Sequence, residues 1–367
     1  MFSTILKRRA VIGALIGGAA AAVNGSEKPR ADDAKPASRI RNKITLEEHF
    51  VLPSSLGTTF HPPGIPAAVW STIEARLLDV DEQRLPQMND NGIQMQVVSL
   101  SANGIQGEVD PKVAVDRAKA ANDWLVKKFV GAHPTRFAGF AAVALQDPQA
   151  AAREAERAVT QLGLKGVLIN GYSNLGDENH AEYLDLPKFF PFWERVEDLG
   201  VPVYLHPRTP LPSQRLIYDG HEEMIGPMWA FGAETAVHAL RLMTSGIFDR
   251  FPRQQVILGH AGEGLVAMMA RAQRRFEYAP CGKSLRKPLG QYLRDHFHIT
   301  MSGNFHTPTL NNVIEEMGVD RVMFSVDYPY ESMLEGASWF DGCAMEEQAK
   351  LKIGRSNALR LLRLNSA

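Results

Sequence analysis

The sequence predicts an α/β protein, a (β/α)8 or TIM barrel. Three observations carry that expectation. From residue 43 onward, eight short β-rich runs alternate with longer amphipathic segments. The apolar residues inside those runs are contiguous instead of alternating, as in Val256-Ile257-Leu258 and Val322-Met323-Phe324, the pattern of strands covered on both faces. Antiparallel hairpin signals are missing between the runs, which favours parallel strands joined by helices. A chain of 367 residues is the size of one such barrel with additions.

The eight runs cover residues 43–50, 93–100, 137–145, 164–170, 201–206, 255–260, 296–302 and 321–327. The segment after the third opens on Asp147-Pro148, a capping residue followed by proline at the first helical position. It then places Ala155, Val159 and Leu162 on one face and stops at Gly163. Further helices are expected over 112–131, 188–200, 234–251 and 345–364. A doubly wound open sheet is the competing architecture, but no GxGxxG loop follows the first strand.

Residues 1–25 have a different character. Lys7-Arg8-Arg9 precedes an uncharged run, 10–23, too short to span about 30 Å of hydrocarbon, with small residues near Ala20 for cleavage. The segment reads as a signal peptide with twin-arginine character, which makes the mature protein periplasmic or secreted without a stable membrane anchor. Residues 26–41 read as a solvated linker, and 42–367 as the catalytic domain. A formal net charge of -1 gives no reason to expect nucleic acid as a partner. The two cysteines, Cys281 and Cys343, read as separate thiols.

Active sites of such barrels lie at the C-terminal ends of the strands. Run one ends Glu47-Glu48-His49, run five His206-Pro207-Arg208, run six His260, and run eight Asp327. Glu47 and His49 are two apart and leave the same face of a strand. An acid closing a buried strand, as Asp327 does, is costly unless paired or metal-bound. Together Glu47, His49, His206 and Asp327 form a candidate ligand set for one divalent ion. Two carboxylates and two imidazoles suit Mn2+ or Zn2+ and do not choose between them. His260 and Glu263, three apart, form a candidate pair for proton transfer. Arg208 and Arg271 are candidates to grip a substrate carboxylate, or equally to form salt bridges at the rim.

Five segments carry a family likeness: Leu46-Glu47-Glu48-His49-Phe50, Tyr204-Leu205-His206-Pro207-Arg208, Leu258 to Gly264, Thr300 to Phe305 and Phe324 to Pro329. In that order they resemble the amidohydrolase-related benzoate decarboxylases, among them the γ-resorcylate and 2,3-dihydroxybenzoate enzymes and their aminocarboxymuconate-semialdehyde relatives, over roughly residues 42–364. The resemblance implies that Glu47, His49, His206 and Asp327 hold the ion, that His260 and Glu263 move protons, and that Arg271 lines the pocket. It also implies a homodimer or homotetramer. Hydrolases of that superfamily commonly begin HxH and, when binuclear, carry a bridging lysine after strand four. Here Glu47 takes the first position and run four ends Leu168-Ile169-Asn170, with Lys165 at the wrong end.

The expected reaction is therefore non-oxidative decarboxylation of a small aromatic carboxylic acid, a dihydroxybenzoate or salicylate type. Direct loss of carbon dioxide leaves an aryl carbanion, so the ring carbon is expected to be protonated first. Asp327 is the expected donor with His260-Glu263 behind it, although a cation beside Asp327 opposes its protonation and makes His260 the substitute. A metal-dependent hydrolase of a lactone, amide or ester is the alternative.

Overall fold

The structure, a computed structural model, describes residues 40–365. Strands Lys43–Phe50, Ile93–Leu100 and Phe137–Gly139 pair in that order. Val167–Asn170, Val203–His206, Val256–Leu258, Phe297–Thr300 and Val322–Met323 pair in a second run, and all contacts in both are parallel. Two seams join the runs. Ala141 bridges Val167 in parallel; on the other side the His49 amide donates to Tyr328 O at 2.8 Å. The eight strands, called one to eight below, thus follow the chain around a TIM barrel.

Contiguous hydrophobicity has its cause in this closure. Ile257 faces the barrel interior with Ile44, Leu46, Val97, Leu168 and Tyr204. Its neighbours Val256 and Leu258 face outward into the larger core beneath the helices. Ala358 and Leu362, from the helix Asn357–Leu362, join the inner cluster.

Most elements sit where the sequence places them, with differences at the ends. The Asp147 side chain accepts from the Gln149 and Ala150 amides and caps Pro148–Thr160. The same Asp-Pro device starts Pro111–Leu125, where Asp110 is the cap. The helix expected over 234–251 is two, Ala230–Thr244 and Ile247–Arg250, parted at Gly246 with φ 83. The last helix is interrupted by a wider turn, Lys352–Ser356. Strand three is shorter than expected: ladder pairing stops at Gly139, where an added Cβ would meet Leu125 and Leu164 side chains at 2.7 and 2.9 Å.

Two expectations are corrected. A hairpin does exist, Ser173–Leu175 against Asp177–Glu182, turning on Gly176 with φ 78; its second strand is mostly polar and exposed, so no apolar alternation advertised it. The expected linker ends too late, since Ile40 is already packed in the core. The rest of that linker, with the expected signal peptide, lies outside the described residues. Cys281 is exposed, Cys343 is buried, and both are free. Among the described residues no helix is long and apolar enough to cross a membrane.

Candidate metal centre and substrate cavity

Strand one presents its polar residues by a change of register. Ile44 and Leu46 point into the barrel, so strict alternation would send Glu48 inward and Glu47 and His49 outward. Pairing instead steps from Thr45↔Gln96 to Glu48↔Val98, three residues against two. That extra residue is a β-bulge, a device that re-aims side chains beside active sites. The amides of Leu46 and Glu47 both donate to the Ser325 hydroxyl, at 2.9 and 2.8 Å. After the bulge Glu47 and His49 face the interior.

Glu47, His49 and His206, all buried, place one ligand atom each within 4.8 Å of one another. Asp327 flanks them, its Oδ1 3.1 Å from His49 Nε2, and His260 Nε2 lies 3.8 Å from Glu47 Oε1 and 3.5 Å from Asp327 Oδ2. Glu47 Oε1, His49 Nε2 and Asp327 Oδ1 are buried without a hydrogen-bond partner. The His49–Asp327 approach is close but not aligned as a hydrogen bond. Buried polar atoms are normally satisfied, and three orphans converging on one point fit a divalent cation.

The opposite ends of these side chains are tied down. Glu47 Oε2 accepts from the Tyr204 hydroxyl at 2.6 Å and from Thr300 at 3.2 Å, and Ser302 bonds the same oxygen. His206 Nδ1 lies 2.8 Å from both Asn170 Oδ1 and Pro207 O. Both are acceptors, so Nδ1 carries the proton and Nε2 offers its lone pair to the cluster. Gly259 supplies the space: a Cβ there would lie 2.5 Å from both Glu47 oxygens.

The electrostatics describe a site short of positive charge. Burial pushes Glu47 up to about 7, against the pull of His260. Burial and the neighbouring His49 hold His206 well below the ordinary histidine range. For Asp327 burial acts upward, but contacts with His260 and His49 outweigh it and bring it to about 2. For His260 burial opposes the charge, and the Glu47 and Glu263 carboxylates more than offset that, holding it well above its ordinary value. Among these groups the carboxyls of Glu47, Glu263 and Asp327 surround the His260 ring.

His260 sits in an unusual turn. Residues 260–264 all have positive φ, from 48 to 79, so the turn that leads from strand six into the helix Leu265–Tyr278 is left-handed. Three of the five are not glycine, and each costs about 1–2 kcal/mol in that conformation. His260 Nδ1 meets Glu263 Oε1 at 2.7 Å, the expected pair, on a backbone of the opposite hand. Asp327 also has positive φ, 82.

A cavity of about 320 Å³ opens over the cluster, lined by His206, His260, Asp327, Ser101, Tyr330 and Glu331 on one side and by Phe60, Pro62, Ile73, Met228 and Phe231 on the other. It is at the small end for ligand sites, sized for one substituted ring. An adjoining space of about 570 Å³ shares Met228, Phe231, His260, Asp327 and Glu331. A cavity of about 720 Å³ lies at the other rim among Arg253, Arg321, Arg360 and Arg363, where barrels carry stability and not chemistry.

Neither arginine reaches the cavity wall in this chain. Arg208 is buried in the frame: it donates to Gln106 O, Tyr172 O and Asn174 Oδ1 at 3.1, 2.6 and 2.8 Å and stacks on the Tyr172 ring. Three neutral acceptors and an aromatic face hold the guanidinium that was expected to meet substrate, its Nε buried without a partner. Arg271 is exposed on Leu265–Tyr278 and is not among the lining residues. Tyr204, Thr300, Ser302 and Asn170 join the site without having been expected there from the sequence. Tyr204 is two residues before His206 and shares its face, a signal that alternation alone supplies.

Residues 52–364 match the amidohydrolase family. The chain belongs to that family. Among amidohydrolase relatives, it is 45% identical over 330 residues to a γ-resorcylate decarboxylase of Rhizobium sp. strain MTP-10005, covering 89% of this chain and 100% of that one. A 2,6-dihydroxybenzoate decarboxylase solved with 2,6-dihydroxybenzoate superposes with a TM-score of 0.85 at 45% identity, covering 89% and 100% of the two chains. The dihydroxybenzoic acid decarboxylase of Polaromonas sp. JS666, solved with manganese and the inhibitor 2-nitroresorcinol, does so with a TM-score of 0.85 at 44% identity, covering 89% and 98%.

Proposed function

We propose that this protein is a manganese-dependent, non-oxidative decarboxylase of a 2-hydroxybenzoate, with 2,6-dihydroxybenzoate as the first substrate to test. The observation that carries the reading is the convergence of Glu47, His49, His206 and Asp327 beneath a cavity for one aromatic ring, with orphaned atoms on Glu47, His49 and Asp327. Manganese and the dihydroxybenzoate ring follow from the relatives, which are decarboxylases of such acids. They leave the hydrolytic alternative without a supporting observation.

Glu47, His49, His206 and Asp327 are the ligands in this reading. A divalent cation held there would supply Lewis acidity that favours the ionised phenol, and the phenolate charge enriches the ring in electrons. The chain supplies the rest. Phe60, Phe231 and Met228 enclose the ring and exclude water. His260 stores a proton between Glu263 and Asp327, and Asp327 Oδ2, 3.5 Å from His260 Nε2, passes it to the ring carbon bearing the carboxylate. Carbon dioxide then departs with the return of aromaticity. One proton is consumed per turnover and stays on the ring carbon, and the phenolate of the product regains the proton that the phenol lost on binding.

Exposed apolar side chains, Ile217 at 78%, Leu216 at 71% and, at the cavity wall, Met228 at 68%, support a homo-oligomer that covers them. Light scattering on wild type and Ile217→Asp tests it. Export through residues 1–25 belongs to the same proposal, and N-terminal sequencing of mature protein tests it. The function itself is tested by following carbon dioxide and resorcinol from 2,6-dihydroxybenzoate with manganese-loaded protein. Inactivity on this acid, on salicylate and on other dihydroxybenzoates refutes the reading.

A further inference from the structure

We propose that Glu48 is the positioning residue for Asp327: its carboxylate grips the backbone on both sides of Asp327 and so aims that side chain at the cluster. The bulge that turns Glu47 and His49 inward turns Glu48 toward the seam with strand eight, where it is fully buried. There Glu48 Oε1 accepts from the Val326 amide and the Ser325 hydroxyl, both at 3.2 Å. Glu48 Oε2 accepts from the Tyr328 amide at 3.0 Å and from Gln96 Nε2 at 3.3 Å. The two amides gripped are those immediately before and after Asp327.

Ladder pairing in strand eight ends at Met323, so the Val326 and Tyr328 amides need another acceptor. Glu48 is that acceptor. Asp327 is held at φ 82, a conformation that a residue with a side chain leaves unless its neighbours are fixed. The Tyr328 carbonyl accepts from His49, so one short segment is tied on either side to strand one. Each oxygen of Glu48 accepts a backbone N–H. Glutamine, the same shape, must therefore turn an NH2 against a donor whichever way its amide is set.

The inference rests on Asp327 acting as a ligand, as proposed above, and the experiment separates the two. Mn2+ is titrated into EDTA-treated wild type, Glu48→Gln, Asp327→Asn and the double variant, with thermal midpoints recorded alongside. If Glu48 acts through Asp327, Glu48→Gln weakens Mn2+ binding about 10–100-fold in the wild-type background and less than about threefold when Asp327 is already Asn. An equal loss in both backgrounds, or no loss in the first, overturns the inference while leaving Asp327 a ligand. An Asp327→Asn protein that binds Mn2+ and turns over like wild type overturns both. Where Glu48→Gln does not fold, Gln96→Leu removes one donor to Glu48. Its expected loss is about 3–10-fold, again confined to the Asp327 background; an equal loss in Asp327→Asn, or none, overturns the inference.

Discussion

Tyr204→Phe tests the centre with the removal of one oxygen atom. The Tyr204 hydroxyl is buried and donates to Glu47 Oε2 at 2.6 Å while lying 2.8 Å from Thr300 Oγ1. Burial and the Glu47 charge hold the phenol well above its ordinary value, so it remains a donor throughout the working range. A hydrogen bond from a neutral donor to a charged acceptor contributes about 1.5–3 kcal/mol. Thr300 and Ser302 still bond Glu47, so the lower half of that range is the better expectation, about 1.5–2 kcal/mol or roughly 10–30-fold in Mn2+ affinity. The variant also raises the carboxyl above its present value of about 7, because the Tyr204 bond lowers it. Protons then compete harder with the cation at neutral pH, and the loss shrinks as pH rises past 8. Calorimetric titration of EDTA-treated protein with Mn2+ at two pH values measures both. Affinity within threefold of wild type at pH 7 refutes the reading that Glu47 is oriented through its second oxygen.

Further outcomes follow from the same geometry. Metal-free protein is expected to lose stability as pH rises from about 6.5 to 8, above the range in which the lowered His206, His238 and His298 act with the opposite sign. Glu47 and Glu48 both stand at about 7 when folded against 4.5, so their contribution is complete below about 4.5 and lost through 7, at most about 3 kcal/mol each. His260, raised, acts with the same sign, and Asp327, at about 2, changes below this window. A thermal midpoint that climbs with pH in EDTA contradicts this. Gly259→Ala places a methyl 2.5 Å from the Glu47 oxygens and is expected to fold yet retain under a tenth of the bound manganese, read by atomic absorption. Arg208→Ala breaks a buried network and is expected to lower stability by about 3 kcal/mol in denaturant titration. Its KM should stay within about twofold in the protein that remains folded, and a large KM rise restores Arg208 to the substrate.

The barrel was legible in the sequence because strand burial on two faces and the Asp-Pro helix starts are local patterns. Val256-Ile257-Leu258 reads as a covered strand whatever surrounds it, and Asp147 caps its helix through amides two and three residues away. The residue types of the centre were legible for the same reason: polar groups at the ends of apolar runs stand out against their neighbours. Their arrangement was not. Periodicity puts Glu47 and His49 on one face but does not say which face is inside, and the bulge that decides it depends on Ser325, almost three hundred residues away. The left-handed turn at His260, the burial of Arg208 under Tyr172 and the grip of Glu48 on the flanks of Asp327 depend in the same way on partners distant in the chain. A sequence fixes the chemistry it carries and the local conformations it favours, whereas the direction of each side chain is set where strand one closes against strand eight.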